Sequence, residues 1–245
     1  MKKSNYSYIG VAFIILLFGI IFVPRIVDRV KNKDIVRDGS RSNVIATETF
    51  ETEASGLDYL LINGKRKKVP AFSFTNQNGK TITNKDYLGK VYVVEFFFTT
   101  CPTICPRMSR NLVEIQNDIQ DFENFGVASF SIMPETDTPG ILKRYATDYK
   151  VTNPNWNFLT GRGEEAVYDL ANVGFNIFVD TENFEHSGDL ALVDKQGYLR
   201  SRQDAFANSK IFYKGVISEQ EKIDEDGNEQ EITMLKEDIK KLLKE

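Results

Sequence analysis

Cysteine is almost absent from this 245-residue chain: there are two, and they stand four positions apart as Cys101 and Cys105. Two are too few to build a disulfide scaffold, so the fold must rest on an apolar core, and a hydrophobic content of 41% permits one. Histidine is scarcer still, with His186 alone; a single histidine is more often a surface or packing residue than a ligand. An excess of charge is also missing. The 31 basic and 35 acidic residues leave a net charge of −4. No basic stripe interleaved with aromatics is visible, so nothing points to nucleic acid as a partner. No internal repeat is visible.

Long apolar runs are scarce as well, the exception being Tyr8–Val23 near the N-terminus. It is somewhat shorter than the ~20 residues that span a bilayer, but Tyr6 and Tyr8 at one end and Ile26 and Val27 at the other extend it into the interfaces. No small-x-small cleavage site follows the run closely, which argues against a removed signal peptide. No cysteine stands here, which excludes a lipid anchor of the bacterial lipoprotein kind. Residues 1–24 are therefore expected to be an uncleaved signal anchor and transmembrane helix. Lys2 and Lys3 would hold the N-terminus inside, whereas Arg25, Arg29, Lys31 and Lys33 pull the other way; long domains translocate largely regardless of such charge. Residues 25–56, polar and without period, read as a tether. The folded domain is expected over 57–245, C-terminal helix included.

Within that domain, alternating Val69–Phe74 predicts a strand with proline near its start. Asn78-Gly79 predicts a hairpin turn before Thr81–Thr83. Val91–Phe98 is β-branched and aromatic, too short for a helix and apolar on both faces apart from Glu95, which predicts a central, doubly covered strand. After Cys105, Pro106 suits a helix start, and Met108, Leu112, Ile115 and Ile119 form one helical stripe. Val127–Ile132 reads as a strand. Thr138-Pro139 opens a second helix with Ile141, Leu142, Tyr145 and Tyr149 inward, and Glu165–Val173 suggests a third. Leu190–Leu199 reads as strand, turn, strand. After an acidic loop at Asp224–Gly227, Ile232, Leu235, Ile239 and Leu242 mark a terminal amphipathic helix. Strands alternating with helices indicate an α/β sandwich around a mixed sheet.

The two cysteines lie where the buried strand hands over to a helix, in Thr99-Thr100-Cys101-Pro102-Thr103-Ile104-Cys105-Pro106. A helix N-terminus favours thiolate, and Pro102 and Pro106 push each cysteine towards extended backbone. A close pair in an otherwise cysteine-free chain suggests a redox couple or a clamp for a soft ion such as Cu(I). Spacing alone does not choose between them, although common thioredoxin-like oxidoreductases place two residues between their cysteines and this chain has three. Glu95, six residues before Cys101, is either a buried acid that moves protons or a strand-edge carboxylate paired with Lys90 or Arg107. Asp137 reads most simply as a cap or near-cap of the helix after Pro139, with a supporting role towards His186 as the other option.

Phe96-Phe97-Phe98-Thr99-Thr100-Cys101-Pro102-Thr103-Ile104-Cys105-Pro106 resembles the signature of the Sco/SenC proteins. The likeness takes in Gly79 and Gly89-Lys90 upstream, then Glu135-Thr136-Asp137-Thr138-Pro139, His186 and Asp194-Lys195-Gln196-Gly197 downstream. The resemblance implies a thioredoxin-like α/β fold behind an N-terminal transmembrane helix. It implies that copper, Cu(I) or Cu(II), is held by Cys101, Cys105 and His186 and delivered to the CuA subunit of cytochrome c oxidase. The expected location is then the cytoplasmic (inner) membrane, single-pass, with the domain on the extracytoplasmic, periplasmic side, served by a copper donor and a thiol reductant. One departure is Met133 before Pro134, where many members carry aspartate.

Three readings follow. A metallochaperone, rather than an enzyme, needs two thiolates, a third ligand, a membrane tether and an oxidising compartment; the sequence offers the first three and is compatible with the fourth. A thiol–disulfide oxidoreductase using Cys101 and Cys105 to reduce cysteines of the oxidase subunit draws support from Glu95 and the fold. Against it, common thioredoxins carry a cis-proline before the strand facing the motif, and here no proline follows Pro154. A peroxiredoxin-like peroxidase expects threonine three residues before its reactive cysteine, where this chain has Phe98 and Pro102.

Overall fold

The computed structural model describes residues 56–62, 65–180, 185–203, 209–210 and 212–245. The expected signal anchor over 1–24 and all but the last residue of the expected tether lie outside them. Among the described residues no helix is long and apolar enough to cross a membrane. In chain order the strands before the cysteines are β1 (Asp58–Tyr59), β2 (Leu61–Ile62), β3 (Lys65–Arg66), β4 (Ser73–Asn76), β5 (Thr81–Thr83) and β6 (Val91–Phe97). Then come α1 (Ile104–Asp118), β7 (Phe125–Ser131), α2 (Pro139–Asp148), β8 (Trp156–Thr160) and α3 (Gly163–Asp169), the last running into a π-turn over Leu170–Phe175. The chain continues through β9 (Val179–Asp180), β10 (Glu185–His186), β11 (Asp189–Val193), β12 (Leu199–Gln203), β13 (Ser209–Lys210), β14 (Tyr213–Lys214) and α4 (Ile232–Lys244).

The main sheet runs β1-β12-β11-β6-β7-β8-β4-β5. Strands β6, β7 and β8 are parallel neighbours, and the flanking pairs are antiparallel. Every residue of β6 is buried, as its two-sided apolar character requires of a central parallel strand. Its alternation divides the core. Tyr92 and Phe96 point one way, Tyr92 stacking on Tyr87 and Phe96 on Phe130, with Phe175 edge-on to Phe96. Glu95 and Phe97 point the other way, where Phe97 meets Tyr145 of α2 and Phe158 of β8. On α1 the expected stripe of Met108, Leu112, Ile115 and Ile119 is buried. On α4, Ile232, Leu235, Ile239 and Leu242 are all at most 1% exposed.

Some local expectations give way. Val69–Phe72 forms no strand: Pro70 has no N–H to offer a ladder, and the segment is instead fastened by Val69 N–H donating to the Gly197 carbonyl at 2.9 Å. The strand is β4, beginning at Ser73, and it pairs with β5 across Asn78-Gly79 as the turn signal requires; Gly79 adopts φ +76° there. Helix α1 begins at Ile104, before Pro106 rather than at it, so Cys105 is helical and not extended. Pro106 is tolerated because it sits in the first turn, where backbone N–H groups have no intrahelical acceptor. On α2, Leu142 and Tyr145 are buried but Ile141 is 37% exposed, so the inward stripe is narrower than the sequence implied.

Candidate metal and redox site

Strand β6 ends at Phe97, and its carboxyl end delivers the chain through Thr99 and Thr100 to Cys101. The Cys101 N–H donates to the Phe98 carbonyl at 3.3 Å, which turns the loop tightly back. The Cys105 N–H, an orphan donor of the first turn of α1, donates to Cys101 Sγ at 3.4 Å. The Cys105 thiol is hydrogen-bonded in turn to the Cys101 side chain and to the Phe98 backbone. The two sulfurs are thus brought side by side, as thiols and not as a disulfide. Both are buried, Cys101 7% and Cys105 1% exposed.

Burial overturns the expected thiolate bias at Cys105. Desolvation pushes its thiol far up, and the neighbouring Cys101 and Glu95 push the same way. A helix terminus contributes about 0.3–1 kcal/mol at an exposed site, too little to offset removal of a charge from water. In this arrangement burial favours the protonated form of the Cys105 thiol.

Glu95 is wholly buried and makes neither of the expected ion pairs. Arg107 is taken by Glu221 at 2.8 Å. In the parallel register Glu95 lies opposite Ser129, whose hydroxyl donates to Glu95 Oε1 at 2.6 Å and accepts Trp156 Nε1–H at 2.9 Å. Oε2 has no hydrogen-bond partner among the described residues. Burial raises the carboxyl to about 7, against the pull of the Ser129 hydrogen bond. A buried, proton-holding acid therefore lies behind the dithiol.

Asp137 is not the cap of α2. Thr138 occupies the N-cap position and no side chain caps the helix there. The Asp137 side chain, 0% exposed, turns instead to the cysteine loop. It accepts Thr99 N–H at 3.1 Å and Ser131 Oγ–H at 2.6 Å, and it also accepts the Thr99 hydroxyl. Ser131 also accepts Met133 N–H at 3.1 Å. Sequence reading missed this clasp. Its signal was the pair Ser129 and Ser131, polar at alternate positions of an otherwise apolar strand.

His186 lies on β10, paired with Val179 of β9 in a two-stranded ribbon. Two residues on, Gly188 reaches the cysteine helix: a Cβ built there would stand 3.8 Å from Ile104 Cδ1 and 4.0 Å from Met108 Sδ. The chain just past His186 thus packs on the turn that carries Cys105. Among the described residues no group of three or more His, Cys, Asp or Glu assembles a metal site, and the His186 side chain is outside that description. The structure brings the two cysteines together and packs Gly188, two residues past His186, against Ile104 and Met108 of α1.

A mixed α/β sheet with a reduced dithiol at the carboxyl end of its central strand defines a thioredoxin-like domain. The family model SCO1/SenC matches residues 62–218, and the chain belongs to that family. It is 32% identical to the SCO1 protein homolog of Bacillus subtilis over 158 residues, 62% of this chain and 80% of that protein. The solved structure of BsSco, a member of the Sco family of cytochrome c oxidase assembly proteins in which a disulfide switch was identified, is 27% identical with TM-score 0.57, covering 73% of this chain and 94% of that one. Arabidopsis thaliana ScoI, crystallised with copper bound, shares the fold at 22% identity and TM-score 0.52, covering 72% of this chain and 99% of that one.

Proposed function

We propose that this chain is a membrane-tethered copper carrier that delivers the ion to the CuA site of cytochrome c oxidase, with copper held by Cys101, Cys105 and His186. The observation that carries the reading is the buried pair of thiols, side by side and reduced at the start of α1. Two thiolates suit Cu(I), and an imidazole suits Cu(II) better than it suits Cu(I). Copper is cargo here, and what the chain supplies is a preformed loop, clasped by Asp137, that keeps both sulfurs together out of water. The domain works on the extracytoplasmic side, anchored through residues 1–24, and receives copper from a donor protein once a thiol reductant has opened the pair.

Glu95 favours a second reading, in which the pair reduces cysteines of the oxidase subunit or of other extracytoplasmic proteins. In that exchange two thiols lose two protons and two electrons as the S–S bond forms, and the partner disulfide takes both. A buried carboxyl near 7 is suited to accept one proton. Complementation separates the two functions, because the dithiol couple needs only the cysteines. For a carrier, cells with His186→Ala fail to assemble oxidase and recover in part with added copper. If His186→Ala supports assembly nearly as well as wild type while Cys101→Ser does not, the carrier reading is wrong and the reductase reading stands.

A further inference from the structure

The loop between β7 and α2 presents a thioether to the cysteine loop. Met133 is half-buried, and its Sδ lies 3.9 Å from Thr100 Oγ1, which donates to it. Thr100 is the residue immediately before Cys101. The Met133 backbone is pinned on both sides: its N–H donates to Ser131 Oγ at 3.1 Å, and its carbonyl accepts Thr136 N–H at 3.0 Å and Asp137 N–H at 2.9 Å. Ser131 and Asp137 are the residues that clasp Thr99. The two loops are therefore fastened to each other below the site, and the methionine side chain lies between them at its rim.

A thioether has two lone pairs and is a soft donor. Its side chain has three rotatable bonds, so the sulfur can swing from a weak hydroxyl contact to a metal without moving the pinned backbone.

We propose that Met133 supplies its thioether sulfur to copper held by Cys101 and Cys105, and so tilts this chain's site towards Cu(I). The inference rests on the copper-carrier reading. The side chain acts by ligation alone, so no proton or electron is transferred in the step.

The test uses the full chain grown with selenomethionine and loaded anaerobically with Cu(I), read by X-ray absorption at the selenium edge. The expected result is a copper–selenium scattering path in the unaltered chain and none in Met133→Leu, in which Met1, Met108 and Met234 remain as internal controls. Leucine conserves volume, so the fold should survive. Competition against a Cu(I) chelator should show Cu(I) affinity lower on the order of tenfold in Met133→Leu, as for loss of a supporting ligand, with Cu(II) affinity changed much less. Copper bound in full with no copper–selenium path, and unchanged Cu(I) affinity in Met133→Leu, would overturn the Met133 proposal and leave the carrier standing. No copper bound by either protein would overturn the carrier reading and this proposal with it.

Discussion

Asp137, wholly buried, accepts the backbone N–H of Thr99 at 3.1 Å, and so ties the β7–α2 loop to the chain two residues before Cys101. Together with its bonds to the Thr99 and Ser131 hydroxyls, this is the main polar fastening of the cysteine loop. Asp137→Ala removes the acceptor and strands the donors in a dry site. The expected cost is about 2–3 kcal/mol, from one buried and two part-buried hydrogen bonds at ~1 kcal/mol each, read as a lower urea midpoint. Cys101 should also become more reactive to alkylation. A loss under ~1 kcal/mol with unchanged thiol reactivity would show that the clasp does not hold the loop.

Glu95 gives stability a definite pH dependence. Its folded-state value, about 7, lies above the ordinary 4.5 because burial penalises the charged form. The folded chain therefore holds a proton that the unfolded chain gives up. The contribution is fully present below about pH 4.5 and is lost as pH rises through about 7. At ~1.4 kcal/mol per pKa unit, the swing is on the order of 3 kcal/mol. Glu95→Gln, which stays neutral, should flatten unfolding free energy against pH across that window. An unchanged slope in the variant would show that another group carries it.

Much of this frame was legible in the sequence. Val91–Phe97 announced itself by being apolar on both faces, and α1 and α4 by stripes that are buried as the spacing implied. What escaped depends on register across the sheet. That Ser129 faces Glu95, and Ser131 lies opposite Phe97 and beneath Asp137, follows from the parallel pairing of β6 with β7, which no local pattern encodes. Asp137 reads as a cap or near-cap because Thr138-Pro139 do open a helix, and it does stand next to the N-cap Thr138, but its carboxylate turns to Thr99 and Ser131 instead of capping. The Cys105 thiol was misjudged because dipole direction is local, whereas burial depends on what packs above. Strand β8, Trp156–Thr160, carried no separate signal.

Gly188 is the close approach between the His186 segment and α1. It adopts φ +68°, and a Cβ there would stand 2.6 Å from Val216 Cγ2. Gly188→Ala should destabilise the domain by roughly 1–3 kcal/mol, from backbone strain and overpacking, and weaken Cu(II) binding by displacing His186. Adding Val216→Ala should relieve the clash but not the strained φ, so part of the loss should return. Full Cu(II) affinity in Gly188→Ala would show that this contact does not position the histidine.

Arg200 fastens the β1–β12 flank of the sheet. Fully buried, it donates to Asp194 at 3.3 Å, to Glu245 at 2.8 and 3.1 Å and to the Leu57 carbonyl at 3.0 Å, and it stacks 4.2 Å over Tyr59. Arg200→Met leaves Asp194 buried without its cation, so a loss of about 3–5 kcal/mol is expected in chemical denaturation. Copper stoichiometry in the protein that remains folded should not change, since Arg200 lies two strands from β6, in register with Val93 and not with the cysteine loop. Loss of copper without loss of stability would contradict this division of labour.

The most direct test of the central claim is copper content after anaerobic loading of the full chain, measured beside Cys101→Ser, Cys105→Ser and His186→Ala. The account predicts about one copper per chain with both thiols protected from alkylation, and tight binding abolished in either serine variant, because a hydroxyl is a hard, weakly acidic ligand. In His186→Ala, most Cu(II) affinity should be lost while Cu(I) is weakened less. Undiminished copper in either serine variant, or Cu(II) held as tightly without His186 as with it, would contradict the account.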